Sequence, residues 1–239
     1  MSILSSRCKD TKIGYLCEYL PDQQVMSKRN KNMQECIQAP MGETTVLLHT
    51  CCAPCSSAII EAMLKNGITP VIYYCNPNIY PQEEYEIRKR ECTRYAESLG
   101  LEIVDADYDH ENWLAAMKGL EDEPERGGRC LKCFKMRLLR TAEYAAQRGI
   151  RVITTTLASS RWKSQYQINE AGLWACKQIN VPVCTENGET DKIPSEGVIW
   201  WDHNWRKGGL QERRVQIIKE QNFYNQLYCG CEFSMRKDI

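Results

Sequence analysis

The stretch Thr44-Thr45-Val46-Leu47-Leu48-His49 constrains the fold most, because it is apolar and β-branched on both faces and runs straight into Thr50-Cys51-Cys52-Ala53-Pro54-Cys55. A strand with two apolar faces must be covered on both, which marks the centre of a parallel sheet. Pro54 then opens a helix that ends at Gly67, with proline tolerated in the first turn and glycine at the exit. The cysteines therefore sit just past the carboxyl end of a central strand.

The alternation continues. Ile68–Tyr74 reads as a second strand, followed by the loop Cys75–Tyr80 and a long helix bracketed by Pro81 and Gly100. Leu101–Val104 reads as a third strand, with Asp105, Asp107 and Asp109 at or just past its carboxyl end. A helix around Trp113–Met117, a charged loop Glu121–Gly128 and a helix carrying Cys130 and ending at Gly149 come next. Arg151–Thr156 is the fourth strand, Ser164–Ile179 a helix, and Val181–Cys184 a short fifth strand placed at an edge by Pro182. Strands alternating with helices predict an α/β, doubly wound parallel sheet of Rossmann-like type, with right-handed crossovers and the first strand beside the switch point. Residues 1–43 are polar, carry Cys8, Cys17 and Cys36, and show one short helical pattern around Tyr15–Leu20. They read as an N-terminal extension to a domain over 44–239, which closes with a basic helical segment and Tyr228-Cys229-Gly230-Cys231.

The 31 basic and 31 acidic residues cancel, so any nucleic-acid partner must meet a local basic patch. Fourteen cysteines in 239 residues is a high count. Met1–Cys8 lacks the apolar run of a secretory signal, and no stretch reaches membrane-spanning length, so a reducing cytoplasm is the expected compartment. There, clustered thiols read as metal-binding or redox groups.

Cys51, Cys52 and Cys55 lie where open α/β sheets bind ligands. Cys130 and Cys133, spaced i, i+3, share one face of a helix's first turn, where the backbone dipole favours thiolates. Thiolates are soft ligands that select iron–sulfur clusters or zinc. Structural zinc pairs keep two to four residues between ligands, so adjacent Cys51-Cys52 favours a cluster, with four-cysteine zinc as the competing reading. Cys75, Cys92, Cys176 and Cys184 stand singly and read as ordinary buried cysteines. Cys229-Gly230-Cys231 makes a poor chelate but can close a tight, exchangeable disulfide; it is either a redox relay or two chance thiols near the end of the chain.

These motifs resemble the QueH-type epoxyqueuosine reductases. The resemblance runs from about residue 44 to 235 and is carried by Leu47–Ser56, Tyr74–Pro81, Pro124–Phe134, Arg137-Leu138, Thr155-Thr156-Leu157 with Ser160 and Lys163, and Tyr228–Ser234. The first 43 residues have no counterpart, and Cys75 replaces a position that is usually apolar or aromatic. The resemblance implies the last step of queuosine biosynthesis, in which an epoxide on a tRNA wobble nucleoside loses its oxygen. It further implies a 4Fe-4S cluster on Cys51, Cys52, Cys130 and Cys133, a redox-active Cys229–Cys231 pair, and a second iron held by Cys55 with Asp107 or Asp109.

Removing an epoxide oxygen takes two electrons, from a donor the sequence does not identify, and two protons. Asp107, Asp109, Tyr80 and His49 are the candidate acids; loop and capping aspartates are the commoner role for such positions, and a hydrogen-bonding partner of the site is the commoner role for His49. Arg137, Arg140, Arg206, Lys207, Arg213 and Arg214, with Trp200, Trp201 or Trp205 for stacking, are the expected RNA footprint. Two competitors are an ATP-dependent tRNA-modifying enzyme of the similar PP-loop fold and a zinc-stabilised RNA-binding module. The first needs a glycine-rich phosphate loop after strand one, where this chain has Cys-Cys-Ala-Pro-Cys.

Overall fold

The structure, a computed structural model, describes residues 37–180 and 197–235. The expected helix around Tyr15–Leu20, the strand Val181–Cys184 and Cys8, Cys17, Cys36 and Cys184 lie outside the described residues. Strands β1 (Thr45–His49), β2 (Thr69–Tyr74), β3 (Ile103–Asp105), β4 (Val152–Thr155) and β5 (Ile199–Trp200) form one sheet in the order β3-β2-β1-β4-β5. Every pairing is parallel, with Leu47 opposite Val71 on one side and Ile153 on the other. The chain winds outward from β1 to β3, then returns to β4 beside β1, so the switch point lies between β1 and β4.

Val46, Leu47 and Leu48 are fully buried, as a central strand requires. Helices α1 (Ala53–Lys65) and α2 (Gln82–Ser98) pack together, and α6 (Leu210–Glu220) packs on α1. Helix α4 (Gly128–Gln147) packs on β1, on β4 and along α5 (Gln165–Ile179), while the short α3 (His110–Met117) rests on α4. Ile37 and Ala39, ahead of β1, are also buried in the core.

The fifth strand of the described residues is Ile199–Trp200, in register with Val152 and Ile153. This places Trp200, Trp201 and Trp205 in the core, none more than 8% exposed, which removes them from the expected RNA footprint. The Trp205 indole donates to Thr154 Oγ1 at 3.2 Å, and the Trp201 amide extends the β4 ladder by donating to the Ile153 carbonyl. Burying that much aromatic area on a two-residue strand outweighs its short ladder.

Candidate iron–sulfur and redox site

Three segments bring cysteines to the carboxyl ends of β1 and β4. The first is the β1–α1 turn. Cys52 is the N-cap of α1 in extended conformation, with no side-chain cap. Pro54 falls inside the first turn, so no glycine-rich phosphate loop forms there. The sulfurs of Cys51, Cys52 and Cys55 all lie within 4.8 Å of one another. The second segment is the start of α4, where Glu123 accepts from the Gly128 amide at 2.9 Å and satisfies one of the helix's open donors. A Cβ at Gly127 would stand 2.3 Å from Glu123 Oε2, so the paired glycines let this loop fold tightly against the helix that presents Cys130 and Cys133. The third is the terminal segment carrying Cys229 and Cys231.

One cavity of 810 Å³ is lined by Cys51, Cys55, Cys130, Cys133, Cys229 and Cys231. Cys52 is buried behind them, its sulfur 3.9 Å from that of Cys51. Five of these seven sulfurs have a donor group within 4.0 Å. Thr156 Oγ1 donates to Cys51 at 3.4 Å, the Gln226 amide to Cys52 at 2.8 Å and the Arg126 backbone N–H to Cys130 at 3.3 Å. The Arg137 guanidinium lies 4.0 Å from Cys133, and Lys163 Nζ lies 2.9 Å from Cys229.

These contacts share out the charge. Hydrogen bonds from the Cys52 and Cys55 thiols, with help from Thr156 and Arg137, hold Cys51 well below the usual thiol range. Burial pushes Cys52 up, and the hydrogen bond to Cys51 above all drives Cys55 to about 12, so the trio carries its negative charge on Cys51. Burial also raises Cys130. For Cys229, burial acts upward, but the charge and hydrogen bond of Lys163 together with Arg137 outweigh it and leave the thiol below its ordinary value. Arg137 is the cation beneath the site. It is 2% exposed, donates to the Cys75 carbonyl and to Asn76 Oδ1, and stays charged because the thiols at 133, 51, 229 and 75 outweigh its burial.

His49 is fully buried, its Nδ1 2.6 Å from Thr155 Oγ1 and its Nε2 3.0 Å from the Cys75 carbonyl. Burial first, and Arg137 second, lower its pKa to about 3. It is a neutral brace between β1, β4 and the Cys75 loop. Cys75, Cys92 and Cys176 are buried outside the cavity lining.

Asp107 and Asp109 do not line the cavity. Asp107 is exposed with φ of 62°, and Asp109 precedes α3 and accepts from Asn112 at 2.8 Å. The structure thus brings Cys55, and neither aspartate, to the other thiols. Tyr80 also stands outside the cavity lining, 43% exposed; its amide donates to the Gly230 carbonyl, and its own carbonyl accepts from the Tyr228 hydroxyl. It anchors the terminal segment. Cys229 and Cys231 are both free thiols, and Arg88 fixes the segment by donating to the carbonyls of Cys229 and Tyr228.

Of the expected RNA-binding cations, Arg137 is buried, Arg140 is tied to the Ala106 carbonyl, and Arg213 is paired with Glu61 and Glu220. Arg206 and Arg214 do line the cavity, although their side chains also donate to the Lys163 and Pro54 carbonyls. Reading the residues alone missed Lys163, Gln226, Arg126 and Trp162 as members of the site. Lys163 and Arg126 were visible only as parts of motifs.

A family model described as "Epoxyqueuosine reductase QueH" matches residues 46–237. Relatives named "Epoxyqueuosine reductase QueH" include that of Histophilus somni, 46% identical over 84% of this chain and 76% of its own length. Those of Haemophilus influenzae (45% identical, 85% and 77%) and Acinetobacter baylyi (42% identical, 84% of each) are similar over the same span. The chain belongs to the QueH family of epoxyqueuosine reductases.

Proposed function

We propose that this protein removes the epoxide oxygen of epoxyqueuosine at the wobble position of a tRNA, leaving the alkene of queuosine. The observation that carries this reading is the convergence of six cysteines from three chain segments on one cavity, of a size usual for small-molecule sites, about 300–1,000 Å³. Among the described residues no helix is long and apolar enough to cross a membrane.

The donor set fits an iron–sulfur group. It consists of soft sulfurs, clustered, braced by individual hydrogen-bond donors and underlain by a buried guanidinium that offsets the negative charge a thiolate-bound group carries. Cys51, Cys52, Cys130 and Cys133 would hold a 4Fe-4S cluster, with Cys55 the further thiol open to a second iron. Such a cluster supplies electrons one at a time when bound.

The remaining work belongs to the chain's own groups. Thr156, Gln226 and the Arg126 amide orient the sulfurs. Arg137 and Lys163 hold positive charge against the cavity wall throughout, so negative charge arriving at the site is stabilised without rearrangement. Cys229 and Cys231 line the same wall and act as a dithiol. Closing their disulfide from one thiolate and one thiol releases two electrons and one proton, which with a second proton taken up from solvent turn an epoxide into an alkene and water. Lys163 keeps Cys229 in the thiolate form that attacks or leaves in exchange with an external thiol.

The test is anaerobic incubation with tRNA carrying epoxyqueuosine and a reductant, followed by digestion and mass spectrometry of nucleosides. Conversion to queuosine, lost in Cys51→Ala and Cys130→Ala together with visible absorption and bound iron and sulfide, is the expected result. No conversion by iron-replete protein overturns the reading.

A further inference from the structure

We infer that the loop Ser160–Lys163 is the RNA-docking edge of the site, with Trp162 stacking on an unpaired anticodon base and Arg161 meeting the adjacent phosphates. This rests on the proposed reduction of a tRNA nucleoside in the cavity.

Of the chain's six tryptophans, Trp162 alone is exposed. It is 63% accessible and lines the cavity, so its ring, with the Arg161 guanidinium over one face, leaves the other open at a position beside the reacting centre. An indole left in water on a loop is normally mobile, yet this loop is held from two sides. Arg126 donates to the Trp162 carbonyl at 2.9 Å and the Arg161 carbonyl at 3.1 Å, while Arg206 donates to the Lys163 carbonyl at 2.8 Å. The Trp162 amide donates to Ser160 Oγ at 3.3 Å. Three consecutive carbonyls capped by guanidinium groups fix the backbone and present Trp162 outward, while Lys163 reaches Cys229.

Charge selects the partner. The chain is neutral overall, but Glu125 is the single acid among the lining side chains, which include Arg126, Arg161, Lys163, Arg206 and Arg214. The Arg161 guanidinium lies over the Trp162 ring, 4.8 Å from its centroid, so the aromatic group carries a cation on one face and leaves the other for a base. A rigid aromatic ring flanked by cations matches unstacked bases on a polyanion, since any base offers a π-face and sequence tolerance follows. A stacked base would then be one residue away from the lysine that holds the terminal thiol, which would couple RNA seating to the redox pair.

The experiment measures Kd for a fluorescein-labelled anticodon stem-loop RNA by anisotropy, alongside KM for epoxyqueuosine tRNA. Trp162→Ala should weaken binding and raise KM on the order of tenfold, whereas Trp162→Phe, which keeps a ring, should retain most of the affinity. Arg161→Ala should lower the slope of log Kd against log salt by about one. Tyr166→Ala, which removes a still more exposed aromatic outside the cavity lining, should change neither. If wild type reduces the tRNA but Trp162→Ala binds and turns over RNA normally, the docking assignment falls alone. Slowed reduction by a protein electron donor with unchanged RNA affinity would make the edge a dock for an acidic redox protein, and also overturns it. A wild type that reduces no tRNA overturns the functional reading and the docking assignment with it.

Discussion

Lys163 and Cys229, 66 residues apart in sequence, meet in the cavity wall with Nζ 2.9 Å from Sγ. No carboxylate bonds the lysine; its one side-chain partner among the described residues is a sulfur. A buried ammonium beside a thiol favours the thiolate, and the thiolate in turn keeps the ammonium charged, so each raises the cost of neutralising the other.

Removing the lysine exposes this coupling. Cys229 sits below its ordinary pKa because Lys163 and Arg137 outweigh its burial, so more of it is thiolate at neutral pH, and that fraction falls as pH drops through its pKa. In Lys163→Met the pKa should rise, and iodoacetamide alkylation of Cys229 at pH 7, followed by peptide mass spectrometry, should slow by about tenfold. An unchanged rate would show that the pair does not set the thiol's reactivity.

Gly230 governs where Cys229 points. Its φ of 105° lies in a region side chains rarely adopt, and a Cβ there would stand 2.8 Å from Ile79 Cγ1 and 3.1 Å from an Arg88 nitrogen. Gly230→Ala should therefore cost about 1–3 kcal/mol locally and displace the Cys229 and Tyr228 carbonyls from Arg88. Turnover sustained by thiol reductants should drop while the visible spectrum of the loaded protein stays. Full turnover would show that the segment tolerates a different backbone.

Arg137 carries a structural load as well as charge. Arg137→Met leaves the Cys75 carbonyl and Asn76 Oδ1 without their buried donor and should destabilise the protein by about 3 kcal/mol in urea unfolding. Arg137→Lys should recover only part of this, because an ammonium lacks the planar fork that reaches both acceptors. Wild-type stability in Arg137→Met would contradict the assignment.

Cys55 and the aspartates separate by position. Cys55→Ala should lose any second iron and turnover while keeping the cluster's visible absorption. Asp107→Asn and Asp109→Asn should keep full iron content, since both side chains stand outside the cavity lining. Loss of iron in either variant would show that the turn ahead of α3 closes onto the thiols when metal binds.

Much of this molecule was legible in one dimension. The two-faced apolar run of β1, the proline and glycine punctuation of α1 and α2, and the spacing of Cys130 and Cys133 are local signals, and each element formed close to its expected place. The switch point followed from strand–helix alternation, and that alone places Cys51 and Cys55 at a ligand crevice. Tertiary structure decided the rest, because periodicity reports which side of an element is apolar but not which distant group faces it. Ile199–Trp200 is too short to show a period, so its burial of Trp200, and with it the removal of three tryptophans from solvent, was visible only in the sheet. The same holds for the donors on the sulfurs. Thr156, Gln226 and Lys163 lie far in sequence from Cys51, Cys52 and Cys229 and become their partners only when the carboxyl ends of β1 and β4 draw those segments together, whereas the Arg126 amide reaches Cys130 locally, four residues on.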